Sequence, residues 1–165
     1  MAVTLGCAVA IAALVVVGIA SGVRFAPHSR EQASLAKRDA VWARVPSGMH
    51  ESGRFTHLAD AAWVPPTGTG RHPSTVVGHY YQTNQASRDA LVAWDGVATG
   101  AGWRPISSGC TLFSQPELVY EKTMGGWRAL LTASFDAAHN LLIEIRLPET
   151  AGATASTIPA GVPAC

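Results

Sequence analysis

Trp127-Arg-Ala-Leu-Leu-Thr-Ala-Ser-Phe135, then Asp136-Ala-Ala-His-Asn140, then Leu141-Leu-Ile-Glu-Ile-Arg-Leu147 is the stretch that decides the fold class. In its last third Leu141, Ile143, Ile145 and Leu147 alternate with Leu142, Glu144 and Arg146, the period of two that marks a half-buried strand. Asp136 to Asn140 reads as the turn into it. Just upstream, Leu118 to Thr123 and Trp127 to Phe135 flank Gly125-Gly126, a hairpin signal. Working back, Trp103-Arg104 starts a short strand that Leu112-Phe113 resume beyond an irregular Ser-Ser-Gly-Cys segment.

A helix precedes these strands. Asn84 is placed to cap it, and Ala90, Leu91, Trp94, Val97, Ala98 and Ala101 recur at helical spacing to make one packing stripe. Gly100 and Gly102 supply its C-terminal stop. Before that helix, Thr75 to Gln82 reads as a strand. Strand, helix, then three or four antiparallel strands make an α+β domain. The expectation is two layers, with one main helix on an antiparallel sheet of about four to five strands. Trp94 and Trp103 belong to its core.

The front of the chain is different. No charge occurs from Ala2 to Val23, and 22 residues make roughly 33 Å of helix, enough for a hydrocarbon core of about 30 Å. A retained transmembrane anchor over residues 1–23 is the reading, contacting lipid through residues 2–23. A cleaved signal ending near Gly18-Ile19-Ala20 is the alternative. Ser29-Arg30-Glu31-Gln32 matches a capping box, so residues 24–46 read as a juxtamembrane helix, a solvated stalk or a basic surface on anionic lipid. Residues 47–147 hold the α+β domain, and 148–165 form an Ala/Thr/Pro tail.

Orientation pulls two ways. Arg24, Arg30, Lys37 and Arg38 follow the apolar run, and the positive-inside rule would keep them in the cytoplasm. Cys110 and Cys165 form an even pair outside that run, which points to a disulfide and an oxidising compartment. The single-pass, extracytoplasmic arrangement at the cell membrane is the one we expect.

Composition narrows the function more than any motif does. Across 165 residues, 12 Lys+Arg stand against 11 Asp+Glu, so no broad field exists for gripping nucleic acid. No Gly-x-Ser-x-Gly elbow, His-Glu-x-x-His or Walker A motif occurs. Ser34-Leu-Ala-Lys37 and Lys122-Thr-Met-Gly125 echo penicillin-recognising enzymes, but Met124 interrupts the second and the Ser-Asp-Asn element is missing. Met49 to Ser74 reads as a long irregular loop carrying His50, His57 and His72, with His79 just beyond. The histidine spacing lacks a chelating pair, so no metal or other cofactor is expected. Trp63, before Val64-Pro65-Pro66, is the candidate exposed aromatic anchor, and His57, His72 and His79 are the accompanying binding candidates.

The run Tyr80-Tyr81-Gln-Thr-Asn84, the Ala-rich helix through Trp94, and Gly102-Trp103-Arg104 together resemble a family pattern. It is that of uncharacterised secreted or membrane-anchored small α+β proteins of high-GC Gram-positive bacteria. The likeness covers residues 45–147. It implies a cell-envelope location and a small α+β domain, and it transfers no catalytic residue. The functional expectation is a non-enzymatic binding or interaction module of the envelope. It would meet a protein or polymer partner through the open sheet face or the Met49–Ser74 loop. A small hydrolase or metal-binding domain built on the His50–His79 region is the alternative.

Overall fold

A computed structural model of the chain describes residues 28–59, 74–111, 114–148, 162, 163 and 165. The elements run α1 (Ser29–Lys37), a 3-10 turn (Ala40–Ala43), β1 (Met49–His57), β2 (Ser74–Thr83), α2 (Ser87–Gly100), β3 (Arg104–Cys110), β4 (Pro116–Met124), β5 (Trp127–Phe135) and β6 (Leu141–Pro148). The six strands form one sheet in the order β1-β2-β6-β5-β4-β3, with every neighbouring pair antiparallel. This is an α+β domain, as the strand–helix–strands order predicts.

The alternation in β6 does what its period requires. Leu141, Ile143, Ile145 and Leu147 are buried on the helix-covered face, while Leu142 and Glu144 are half-buried and Arg146 is exposed on the other. Neighbouring strands add Ala129, Leu131, Ala133 and Phe135 from β5 and Leu118, Tyr120 and Met124 from β4. The β4–β5 hairpin turns at Gly125 and Gly126, whose φ angles of 56° and 89° are the two positive values that a tight I′ hairpin demands. A side chain at Gly125 would also meet Leu35, 2.6 Å from its Cβ. On α2 the predicted stripe closes the core, with Ala90, Leu91, Trp94 and Ala98 buried and Val97 and Ala101 packed against them. Gly102, at φ 84°, ends the helix, and Trp103 is buried behind it.

Four expectations are corrected. The sheet has six strands rather than four or five, because Met49–His57, read as irregular, is strand β1. Ser107 to Cys110 lie in strand β3 rather than interrupting it, and Leu112 and Phe113 lie outside the described residues. Asn84 does not cap α2; Ala86 holds the N-cap position, with no side-chain hydrogen bond. The capping box at Ser29 does not form either. Ser29 lies inside α1, His28 holds the N-cap position, and the Ser29 hydroxyl and Gln32 amide are buried without partners.

The reason for the last correction is tertiary. Ser29, Gln32, Ala33 and Ala36 all face the sheet, so packing against β2 and β6 overrides the local cap. The segment read as a stalk thus contributes Ala33, Ala36 and Val41 to the core. The juxtamembrane helix expected within residues 24–46 stops at Lys37, and the chain bends into the 3-10 turn at Asp39. Both helices cover one face of the sheet. Among the described residues no helix covers the other, where Phe55 lies over Gly78 so closely that a Cβ there would come within 2.3 Å of its ring.

One polar knot ties these layers together. Asp39 Oδ1 accepts hydrogen bonds from the Val41 backbone N–H (2.9 Å) and from Trp103 Nε1 (3.0 Å). Its Oδ2 accepts from Lys122 Nζ at 2.7 Å, and Lys122 also donates to the Ala101 carbonyl at 2.8 Å. A buried carboxylate with three donors, one of them a cation, is the satisfied form of an otherwise costly group.

Cys110, at the end of β3, is bonded to Cys165, with their Cα atoms 6.0 Å apart. Val162 packs against the core on the way. A loop of 55 residues closed in this way corresponds to about 4 kcal/mol of chain entropy, an upper figure because residual structure in the unfolded chain reduces the entropy there is to remove. Reduction is expected to lower the urea midpoint of the purified chain measurably; coincident curves with and without dithiothreitol would show that the bond contributes nothing. No helix among the described residues is long and apolar enough to cross a membrane, and residues 2–23 lie outside them.

Candidate functional site

The local backbone of β1 decides which side chains meet. It pairs with β2 so that Thr56 opposes Val77, Arg54 opposes His79 and Gly53 opposes Tyr80; after a bulge at Ser52, Glu51 opposes Tyr81. Had Ser52 paired in regular register with Tyr81, Glu51 would oppose Gln82 and face away from the helices. The bulge re-aims it, so Glu51, Arg54, His79 and Tyr81 share the helix-covered face at the sheet's edge.

The third wall comes from the 3-10 turn. Asp39 caps that turn, and Trp42 Nε1 donates to the Ala36 carbonyl at 2.7 Å, fixing the indole. Its ring lies on the His79 imidazole, centroids 4.0 Å apart and 13° from parallel. His79 is thus buried, with Nδ1 3.3 Å from Glu51 Oε2 and 3.4 Å from the Tyr81 hydroxyl. Glu51 in turn accepts from Arg54 Nε and, at 3.0 Å, from Nη2.

An open cavity of about 500 Å³ lies over this group, bounded by Lys37, Trp42, Glu51, Arg54, Phe55, Thr56, Val77 and His79. Its size falls within the usual range for small-molecule sites. Arg54 hydrogen-bonds the Glu51 carboxyl and holds it below the ordinary carboxylate range, with help from His79. Burial pushes the His79 pKa down, against the pull of Glu51. Burial also raises the Tyr81 phenol to about 12, so it stays protonated at neutral pH. A carboxylate can only accept, so Nδ1 of the neutral imidazole carries the proton toward Glu51. Nε2 is then an acceptor, and it has no hydrogen-bond partner among the described residues.

The sign of the pH dependence follows. The fold favours neutral His79, so its contribution to stability declines as pH falls from the ordinary imidazole value toward the lower folded one. Glu51, depressed in the fold, contributes above the ordinary carboxylate range and loses that contribution as pH falls further. His79 is expected to titrate below the ordinary imidazole value when its ring resonances are followed by NMR. A midpoint above that value would mean that the Glu51 charge, not burial, governs the ring.

Of the four binding candidates read from the sequence, the structure brings only His79 to this cavity. His57 opposes Val76, and His50 opposes Gln82, so the alternation of β1 turns both to the opposite face. Trp63 and His72 lie outside the described residues. Among the described residues no group of three or more His, Cys, Asp or Glu side chains is placed to hold a metal ion. Lys37, Trp42, Arg54 and Tyr81 were not anticipated as site residues. Their convergence depends on strand register and a bulge, which leave no motif behind. No known family, curated protein or solved structure matches the chain.

Proposed function

We propose that this chain is an extracytoplasmic binding module of the cell envelope, tethered to the membrane through residues 2–23, that recognises its ligand at the Trp42–His79 cavity. One observation carries the choice of site. A neutral histidine, a carboxylate and a phenol are gathered under an open cavity and clamped by an indole, where apolar packing would have been cheaper. The Cys110–Cys165 bond supports the compartment, since such bonds persist where the surroundings are oxidising. The 22-residue apolar run and the resemblance over residues 45–147 point the same way.

A hydrolase is the second reading, favoured by the Glu51–His79 pair, which leaves Nε2 free to act as a base toward water or a hydroxyl. Against it, no Ser, Thr or Cys among the described residues hydrogen-bonds that nitrogen. Binding therefore takes precedence over catalysis.

Two measurements test the proposal. Reporters fused after residue 147 should be active only when the reporter works outside the cytoplasm; activity from a cytoplasmic reporter alone would reverse the topology. The full-length chain in detergent should retain a component of solubilised envelope polysaccharide or peptide unaltered in mass, and Trp42→Ala should abolish that retention. Equal retention by both proteins would move the site elsewhere, and release of cleaved product would promote the hydrolase.

A further inference from the structure

The chemistry of the cavity wall narrows the ligand, and this step rests on the cavity being the binding site. Lys37, at the end of α1, is exposed and makes no ion pair or hydrogen bond among the described residues. On β1, Arg54 spends Nε and one Nη2 hydrogen on Glu51 and keeps its other three N–H groups for solvent, with 69% of its side chain accessible. Glu51 is the only carboxylate among the described lining residues and is already met by Arg54 and His79. Among the described residues the lining therefore carries two cations and one anion, an excess of one positive charge.

A single excess charge suits a monoanion. A phosphate dianion would bring two negative charges to a described lining whose net charge is one positive. The remaining polar groups want donors. Glu51 only accepts, and neutral His79 presents Nε2 as an acceptor. A peptide unit fixes its one N–H and one carbonyl in opposite directions, whereas a hydroxyl group rotates to donate to Nε2 or to accept from Lys37 and Arg54. Trp42 and Val77 give the ligand's C–H surface an apolar backing.

We infer that the cavity recognises a hydroxylated monocarboxylate, the chemistry of an acidic saccharide unit, with the carboxylate between Lys37 and Arg54 and a hydroxyl on His79 Nε2. The probe is sodium glucuronate, titrated into the full-length chain and followed by calorimetry and by NMR of the His79 ring. Glucose, inorganic phosphate and N-acetyl-alanyl-alanine are titrated in parallel. Glucuronate should bind at least about tenfold tighter than glucose, because a hydrogen-bonded charge pair is lost with the acid group. It should shift the His79 resonances, and its affinity should fall severalfold in Lys37→Ala, a substitution at an exposed residue that removes no hydrogen bond or ion pair among the described residues.

Glucose binding as well as glucuronate, phosphate or the peptide binding better, or an unchanged affinity in Lys37→Ala would each overturn the inference. Failure of glucuronate while Trp42-dependent retention of an envelope component persists would overturn the ligand class and leave the site standing. Loss of both would remove the site as well.

Discussion

Replacing Trp94 with alanine is expected to cost about 3–5 kcal/mol, the range for deleting a large buried aromatic whose cavity cannot collapse. Trp94 is 1% exposed at the centre of α2 and meets the Tyr81 ring edge-on, centroids 5.1 Å apart at 81°. It therefore holds the helix to the strand that carries His79. A domain of this size has only about 5–15 kcal/mol in all, so the variant should populate unfolded chains visibly and express poorly. Denaturant midpoints give the number. The indole N–H is buried without a partner, so Trp94→Phe should lose much less than the alanine variant. A loss below about 1 kcal/mol in Trp94→Ala would mean that α2 is not anchored through this residue.

Asp39→Ala is expected to cost a similar amount, about 3–5 kcal/mol, by a different mechanism. Its side chain is 3% accessible, and removing it leaves Lys122 with the Ala101 carbonyl and the Trp103 ring but no counter-charge, and it orphans the Trp103 and Val41 N–H groups. Most of that loss would be the penalty of a partly buried cation without its counter-charge. Adding Lys122→Met to Asp39→Ala should therefore recover a substantial part of it. If the double variant is as unstable as the sum of the two singles, the charge pair is not the source. Because Asp39 also caps the turn that carries Trp42, the single variant should weaken binding at the cavity before it unfolds the domain.

Much of the architecture was legible because it is written in periods. Leu141 to Leu147 alternates, the α2 stripe recurs every three or four residues, and Gly125-Gly126 announces its hairpin. β1 was not, and the cause is physical. Met-His-Glu-Ser-Gly-Arg-Phe-Thr-His has one β-branched residue and a glycine, since an edge strand with a single neighbour packs few side chains. Its Ser52 bulge also breaks the period of two that would have betrayed it. His79 was singled out from the sequence, but its partners come from three elements whose proximity is fixed by register and by the bend after Lys37. The histidines that look clustered along the chain are separated by the sheet, because alternation sends His50 and His57 to the face opposite His79.

The central seam of the sheet sets the order in which the molecule can assemble. β2 lies beside β6, with Val77 opposite Ile145, although α2, β3, β4 and β5 all intervene in the chain. Strands β3 to β6 can zip as successive hairpins, but the β1–β2 pair must wait for the final strand before it has a second neighbour. Closure of such non-local pairings is the slow step of folding, on millisecond to second timescales. A ribosome or translocase delivering this chain from its amino end would thus release the His79 strand long before its partner exists. Completion of the cavity wall is in this sense gated by synthesis of β6: a truncated product ending before Leu141 would lack the strand that flanks β2 on the side away from β1.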